Sequence, residues 1–111
     1  MTTSLNSPQP ATILYIPHGG GPLPLLDEAT YQNMNRLLRR LDKTLPPPKA
    51  IVVISAHWEA PVVSITASEK PRMIYDYSGF PAESYAWQYP APGHSQLAKR
   101  VHTLLQADGI E

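Results

Sequence analysis

"ATILYIPHGGGPLP", residues 11–24, carries an apolar run into one histidine and three glycines. Residues 11–16 are β-rich and apolar on both faces, as a strand buried in a parallel sheet is. The following "HGGGPLP" (18–24) reads as a loop. A second stretch, "IVVISAHWE" (51–59), repeats the arrangement: an apolar run, a small-residue step, then a histidine. Between the two, from Asp27 to Leu45, the pattern is helical. Tyr31, Met34, Leu37, Leu38, Leu41 and Leu45 recur at steps of three and four, and Arg36, Arg39, Arg40 and Lys43 fill the outer face. Asp27 stands at the N-cap position, and "PPP" at 46–48 stops the helix. "AIVVIS" (50–55) is the second buried strand. Residues 11–55 therefore spell strand–helix–strand, a unit that closes as a right-handed parallel crossover. The expected fold class is α/β: a mostly parallel sheet with flanking helices.

Downstream, "VVSIT" (62–66) reads as a third, half-alternating strand. Residues 69–93 are irregular and dense in aromatics. A stretch of that length without elements of its own inside a compact domain is usually either functional or wrongly assigned as irregular. "SQLAKRVHTLLQAD" (95–108) is a second amphipathic helix with Leu97, Val101, Leu104 and Leu105 inward, and Gly109 is a natural residue to follow its end. In the alternating pattern Ile110 would open a further strand. The expectation is a leader over 1–10, disordered, and over 11–111 the N-terminal portion of a single larger α/β domain. Its uncovered sheet edge would favour self-association.

Composition narrows the partners. Nine basic and nine acidic side chains give a formal net charge of zero, with no basic block to meet nucleic acid or an anionic membrane. The chain has no cysteine, which removes disulfides, thiolate metal sites and cysteine nucleophiles together. No apolar run approaches the ~20 residues needed to span a bilayer, and the polar N-terminus lacks a signal-peptide core. A cytoplasmic location is expected. Eight of the thirteen prolines fall in "PPP", "PHGGGPLP" and "YPAPG", where they stiffen loops.

The two histidines carry the chemistry. Open α/β sheets bind ligands beyond the carboxyl ends of their strands. His18 lies two residues past the first strand and His57 two past the second. If those strands are near neighbours, spaced about 4.8 Å apart, both imidazoles can reach one ion, and neutral imidazole suits zinc, iron or copper. The competing reading is a hydrogen-bonding turn histidine at 18 and a strand-end histidine satisfied by backbone at 57. Gly19, Gly20 and Gly21 let the backbone approach a ligand or adopt positive φ. Glu59, two residues after His57, is an additional candidate ligand, against a plain solvated glutamate. Asp76 carries the same ambiguity. His102 sits in mid-helix and reads as structural. His94 precedes the second helix and reads as a cap-region residue.

At these residues a resemblance appears. "HGGGPLPLL" (18–26), "PPKAIVVISAHWE" (47–59), "MIYDYSGFPAESYAWQYPAPG" (73–93) and "LAKRVHTLLQADGIE" (97–111) resemble, in order and spacing, the N-terminal part of the DOPA-dioxygenase-like branch of the LigB superfamily, the class III extradiol ring-cleaving dioxygenases. The resemblance implies a non-haem metal, Fe(II) or Zn(II), held in part by His18 and His57. It implies a catechol-type aromatic substrate and dioxygen. In the family, the remaining ligand and the acid/base histidine lie in a downstream half, so no catalytic residue is assigned here. Trp58, Gly19, Gly20 and Tyr77 are the candidate substrate-binding residues, with Trp58 beside His57 as the best placed. Two other functions stand against ring cleavage. One is a non-catalytic protein that keeps the fold as an interaction surface. The other is a zinc-dependent hydrolase using metal-bound water, with Glu59 as general base.

Overall fold

The computed structural model describes residues 10–26 and 28–111. Its regular elements are two α-helices, α1 (Gln32–Thr44) and α2 (Ser95–Ala107), and 3₁₀ turns at Leu23–Leu26, Ala29–Tyr31 and Ala82–Tyr85.

The turn at Ala29–Tyr31 leads directly into α1, so helical backbone starts later than the expected Asp27, which lies outside the described residues. α1 ends where the prolines require. Leu45 is extended (φ −96°, ψ 142°), the conformation forced on a residue before proline, and its N–H still closes on the Leu41 carbonyl at 3.0 Å. Tyr31, Met34, Leu38, Leu41 and Leu45 of the expected stripe are half-buried. Leu37 is exposed instead. Asn35 shares the packed side, and its amide donates to the Pro24 carbonyl at 2.7 Å.

α2 is bounded by two side-chain and backbone devices. His94 Nδ1 accepts from the Leu97 N–H at 3.1 Å, an N-cap that satisfies one of the free donors of the first turn. At the other end Gly109 adopts φ +77°. Its N–H donates to the Gln106 carbonyl and the Ile110 N–H to the Leu105 carbonyl, both at 3.0 Å. That pair of bonds is a Schellman motif. Ile110 is therefore the residue that closes a helix end. Leu97, Val101 and Leu105 are half-buried, while Leu104 points outward. The inner side of α2 meets Val63, Ile65 and Ala67 across an open groove that also takes in Ile110. Gly93 runs so close to Ser68 that a Cβ would meet the Ser68 carbonyl oxygen at 1.8 Å, and its N–H donates to the Glu69 carbonyl.

The expected strands differ most from the structure. No β-ladder forms among the described residues: 11–16, 50–55 and 62–66 run unpaired. Tyr15 and Ile54 are almost wholly exposed, at 103% and 97%. Among the described residues no aliphatic or aromatic side chain is fully buried, and only Pro22, Pro24 and Ser84 are. The radius of gyration is 17.7 Å, against about 13 Å for a compact domain of this length. Parallel strands are stable when helices cover both faces, and these runs lie largely uncovered among the described residues.

The segment expected to be irregular has a pattern of its own. From 71 to 78 burial alternates residue by residue: Pro71, Met73, Tyr75 and Tyr77 are half-buried, and Arg72, Ile74, Asp76 and Ser78 are exposed. This is extended backbone with a period of two. Its inner side builds an aromatic cluster, with Tyr77 set against Phe80 at 5.6 Å and against Tyr85 at 5.2 Å between ring centroids. The Tyr77 hydroxyl donates to the Ser84 carbonyl and the Tyr75 hydroxyl to the Trp87 carbonyl. Ser84, the buried polar residue here, donates its own hydroxyl to the Pro81 carbonyl at 2.7 Å.

Candidate metal centre

His18 leaves the first apolar run at a loop whose shape its glycines decide. Gly19 has φ +73° and Gly21 φ +48°, both in the left-handed region. A Cβ on Gly19 would stand 2.6 Å from the Pro24 ring and 2.7 Å from the Tyr31 ring, and one on Gly21 would stand 3.1 Å from Phe80. The Gly20 N–H donates to the Tyr31 hydroxyl at 3.2 Å. The loop is thus clamped between the two 3₁₀ turns that precede α1 and the aromatic cluster. The glycines serve this folding-back, and the space beside Gly19 is filled by protein.

His57 leaves the second apolar run at a tighter turn. The Trp58 N–H donates to the Ser55 carbonyl at 3.1 Å, and the His57 N–H to the Ser55 hydroxyl at 3.1 Å. Ser55 thereby sets the angle at which the imidazole departs.

The two rings meet. His18 and His57 lie 5.1 Å apart between centroids, edge to face at 71°. In each ring Nδ1 is engaged away from the partner ring. His18 Nδ1 lies 3.0 Å from the Gly19 carbonyl oxygen, and His57 Nδ1 lies 2.6 Å from Asp76 Oδ2. Carbonyl and carboxylate oxygens only accept, so Nδ1 is the donor in both. An imidazole that donates from Nδ1 carries, when neutral, its lone pair on Nε2, the state in which histidine ligates a metal. Two imidazoles with free Nε2 atoms suit a borderline divalent ion such as iron or zinc.

The other expected site residues distribute unevenly. No group of three or more His, Cys, Asp or Glu side chains able to hold a metal occurs among the described residues, so Glu59, which is exposed, does not join the pair. Trp58 is half-exposed beside His57 and ties its indole N–H to the Ser64 carbonyl at 2.9 Å. Tyr77 belongs to the aromatic cluster, with ring and hydroxyl both engaged there. Gly20 holds the loop through Tyr31. Asp76 is the residue whose role the sequence left open. The signal was the "IYDY" alternation, which sets its carboxylate on the side opposite the two tyrosines.

A paired-histidine centre at the ends of two apolar runs is the class of site this geometry defines. Residues 7–111 match the family model described as the catalytic LigB subunit of aromatic ring-opening dioxygenase. The chain belongs to that family. It is similar to the 4,5-DOPA dioxygenase extradiol of Escherichia coli (strain K12), 44% identical over 92 residues, and to that of Portulaca grandiflora, 43% identical over 93 residues, each covering 83% of this chain. It is also similar to the dioxygenase tasH of Hapsidospora irregularis, 36% identical over 107 residues and 90% of this chain. The chain spans about a third of the length of these relatives: 32%, 34% and 33%. No solved structure matches. No helix among the described residues is long and apolar enough to cross a membrane.

Proposed function

We propose that this chain contributes His18 and His57 to the metal centre of an extradiol ring-cleaving dioxygenase acting on catechol-type aromatics. The observation that carries the reading is the convergence of the two imidazoles with both Nδ1 atoms engaged. The names of the relatives supply the reaction class. His18 and His57 would hold part of the coordination of an Fe(II) or Zn(II) ion, which would supply Lewis-acid binding of the catechol and, for iron, the redox chemistry that dioxygen needs. In the overall reaction both atoms of dioxygen enter the product, and the ring opens beside the hydroxyl pair.

The chain's own residues position and shield. His18 and His57 offer Nε2 from two different loops. The clamp on Gly19 and Gly21 keeps His18 from swinging out, and Trp58 sets an aromatic face beside His57. The Tyr77 cluster backs the glycine loop through Phe80. The same reading assigns 11–16 and 50–55 to parallel strands of an α/β sheet, since each histidine lies two residues beyond its run and the two rings meet.

Metal titration tests the proposal, with anaerobic Fe(II) and with Zn(II), on the chain and on His18→Ala and His57→Ala. Loss of a residue that merely supports a ligand costs about 10–100-fold in affinity. Loss of either histidine is expected to cost more than about 100-fold. Affinities unchanged by both substitutions would end the assignment.

A further inference from the structure

The carboxylate of Asp76 sits 2.6 Å from His57 Nδ1, the shortest polar contact either histidine makes. It arrives from 19 residues downstream. Both members are open to solvent, with side chains 55% and 43% exposed. A pair so exposed contributes little to stability, because water and salt screen it. Its placement is nevertheless well determined. Tyr75 and Tyr77 pin the backbone on either side through hydroxyl bonds to the Trp87 and Ser84 carbonyls, and the period of two turns the intervening side chain outward. An anchored segment that delivers a carboxylate to one nitrogen of an exposed imidazole contributes direction rather than stability.

We propose that Asp76 is a positioning residue for His57. It holds the imidazole in the Nδ1–H tautomer with Nε2 turned toward His18. A charged acceptor also makes Nε2 a better donor to a cation, as carboxylates behind metal-bound histidines do. His18 has the uncharged counterpart of this arrangement, a backbone carbonyl. The two histidines therefore differ in what their support can lose: no side-chain substitution removes the Gly19 carbonyl, whereas one removes the Asp76 carboxylate. The metal part of this inference rests on the proposed ligand role of His57, and the tautomer part does not.

The test uses the full chain with ¹⁵N-labelled histidine, as wild type, Asp76→Asn and Asp76→Ala. Multiple-bond proton–nitrogen correlation on the metal-free protein reads the tautomer of each ring. The wild type is expected to show His57 as Nδ1–H. Asp76→Asn keeps an acceptor oxygen and should hold that tautomer. Asp76→Ala should release it to a mixture, with His18 unmoved and the melting transition nearly unchanged. Zn(II) titration on the same samples should show affinity falling about 10–100-fold in Asp76→Ala and by less in Asp76→Asn. A purely structural role would move the melting transition and leave the tautomer alone. His57 remaining wholly Nδ1–H in Asp76→Ala overturns the proposal. If the tautomer shifts as expected but His57→Ala binds zinc like the wild type, the ligand reading fails and the positioning of the ring stands.

Discussion

His18 and His57 do the same thing by different means. His18 is oriented by its immediate neighbour: the carbonyl of Gly19 accepts a hydrogen bond from its Nδ1–H, and the loop is locked by glycines at positive φ. His57 is oriented from a distance, by a carboxylate that a separate aromatic segment delivers. The first arrangement is as reliable as the backbone of one loop. The second depends on a tertiary contact forming correctly, and it gains a charge in exchange. A site that combines them can lose one support without losing the other.

The difference can be broken most forcefully at Gly19. A methyl group there faces both the left-handed backbone penalty, about 1–2 kcal/mol, and close contact with the Pro24 and Tyr31 rings. Gly19→Ala is expected to destabilise the loop by about 2–4 kcal/mol in urea unfolding. The His18 ring resonances should broaden or shift, while those of His57 stay in place. On the other side, Tyr77→Phe removes the hydroxyl that anchors the Asp76 segment to Ser84. The cost should be about 1 kcal/mol, and the nuclear resonance signature should be the reverse, with His57 losing its single tautomer and His18 unaffected. Tyr31→Phe sharpens the comparison with the smallest effect. It frees the exposed Gly20 N–H to bond water, at about 0.5 kcal/mol by the same urea measurement, and should leave both tautomers intact because Gly19 still packs on the ring.

Local features were legible in the sequence and most non-local ones were not. Both helices, the proline stop after α1, the His94 cap and the glycine that ends α2 depend on residues a few positions apart, so their signals are written contiguously. The meeting of His18 and His57 is the exception, because the sequence repeats the same apolar run, small-residue step and histidine at both places. The pairing of the apolar runs was not realised among the described residues, since a strand's hydrogen bonds belong to its neighbours and not to its own side chains. Trp58 reaching Ser64 and Asp76 reaching His57 were hidden for the same reason: hydrogen-bond partners distant in the chain leave no spacing to read.

The alternating burial from Pro71 to Ser78 also limits how this chain can change length. A single-residue deletion or insertion between Tyr75 and Tyr77 would break the alternation, because both tyrosines are anchored downstream at Trp87 and Ser84 and the residue between them, Asp76, sets its carboxylate toward His57. A change of two residues would restore the faces and shift only the reach. Length variation in this segment is therefore tolerated in even steps and penalised in odd ones, although nothing in the segment forms a ladder with a neighbour.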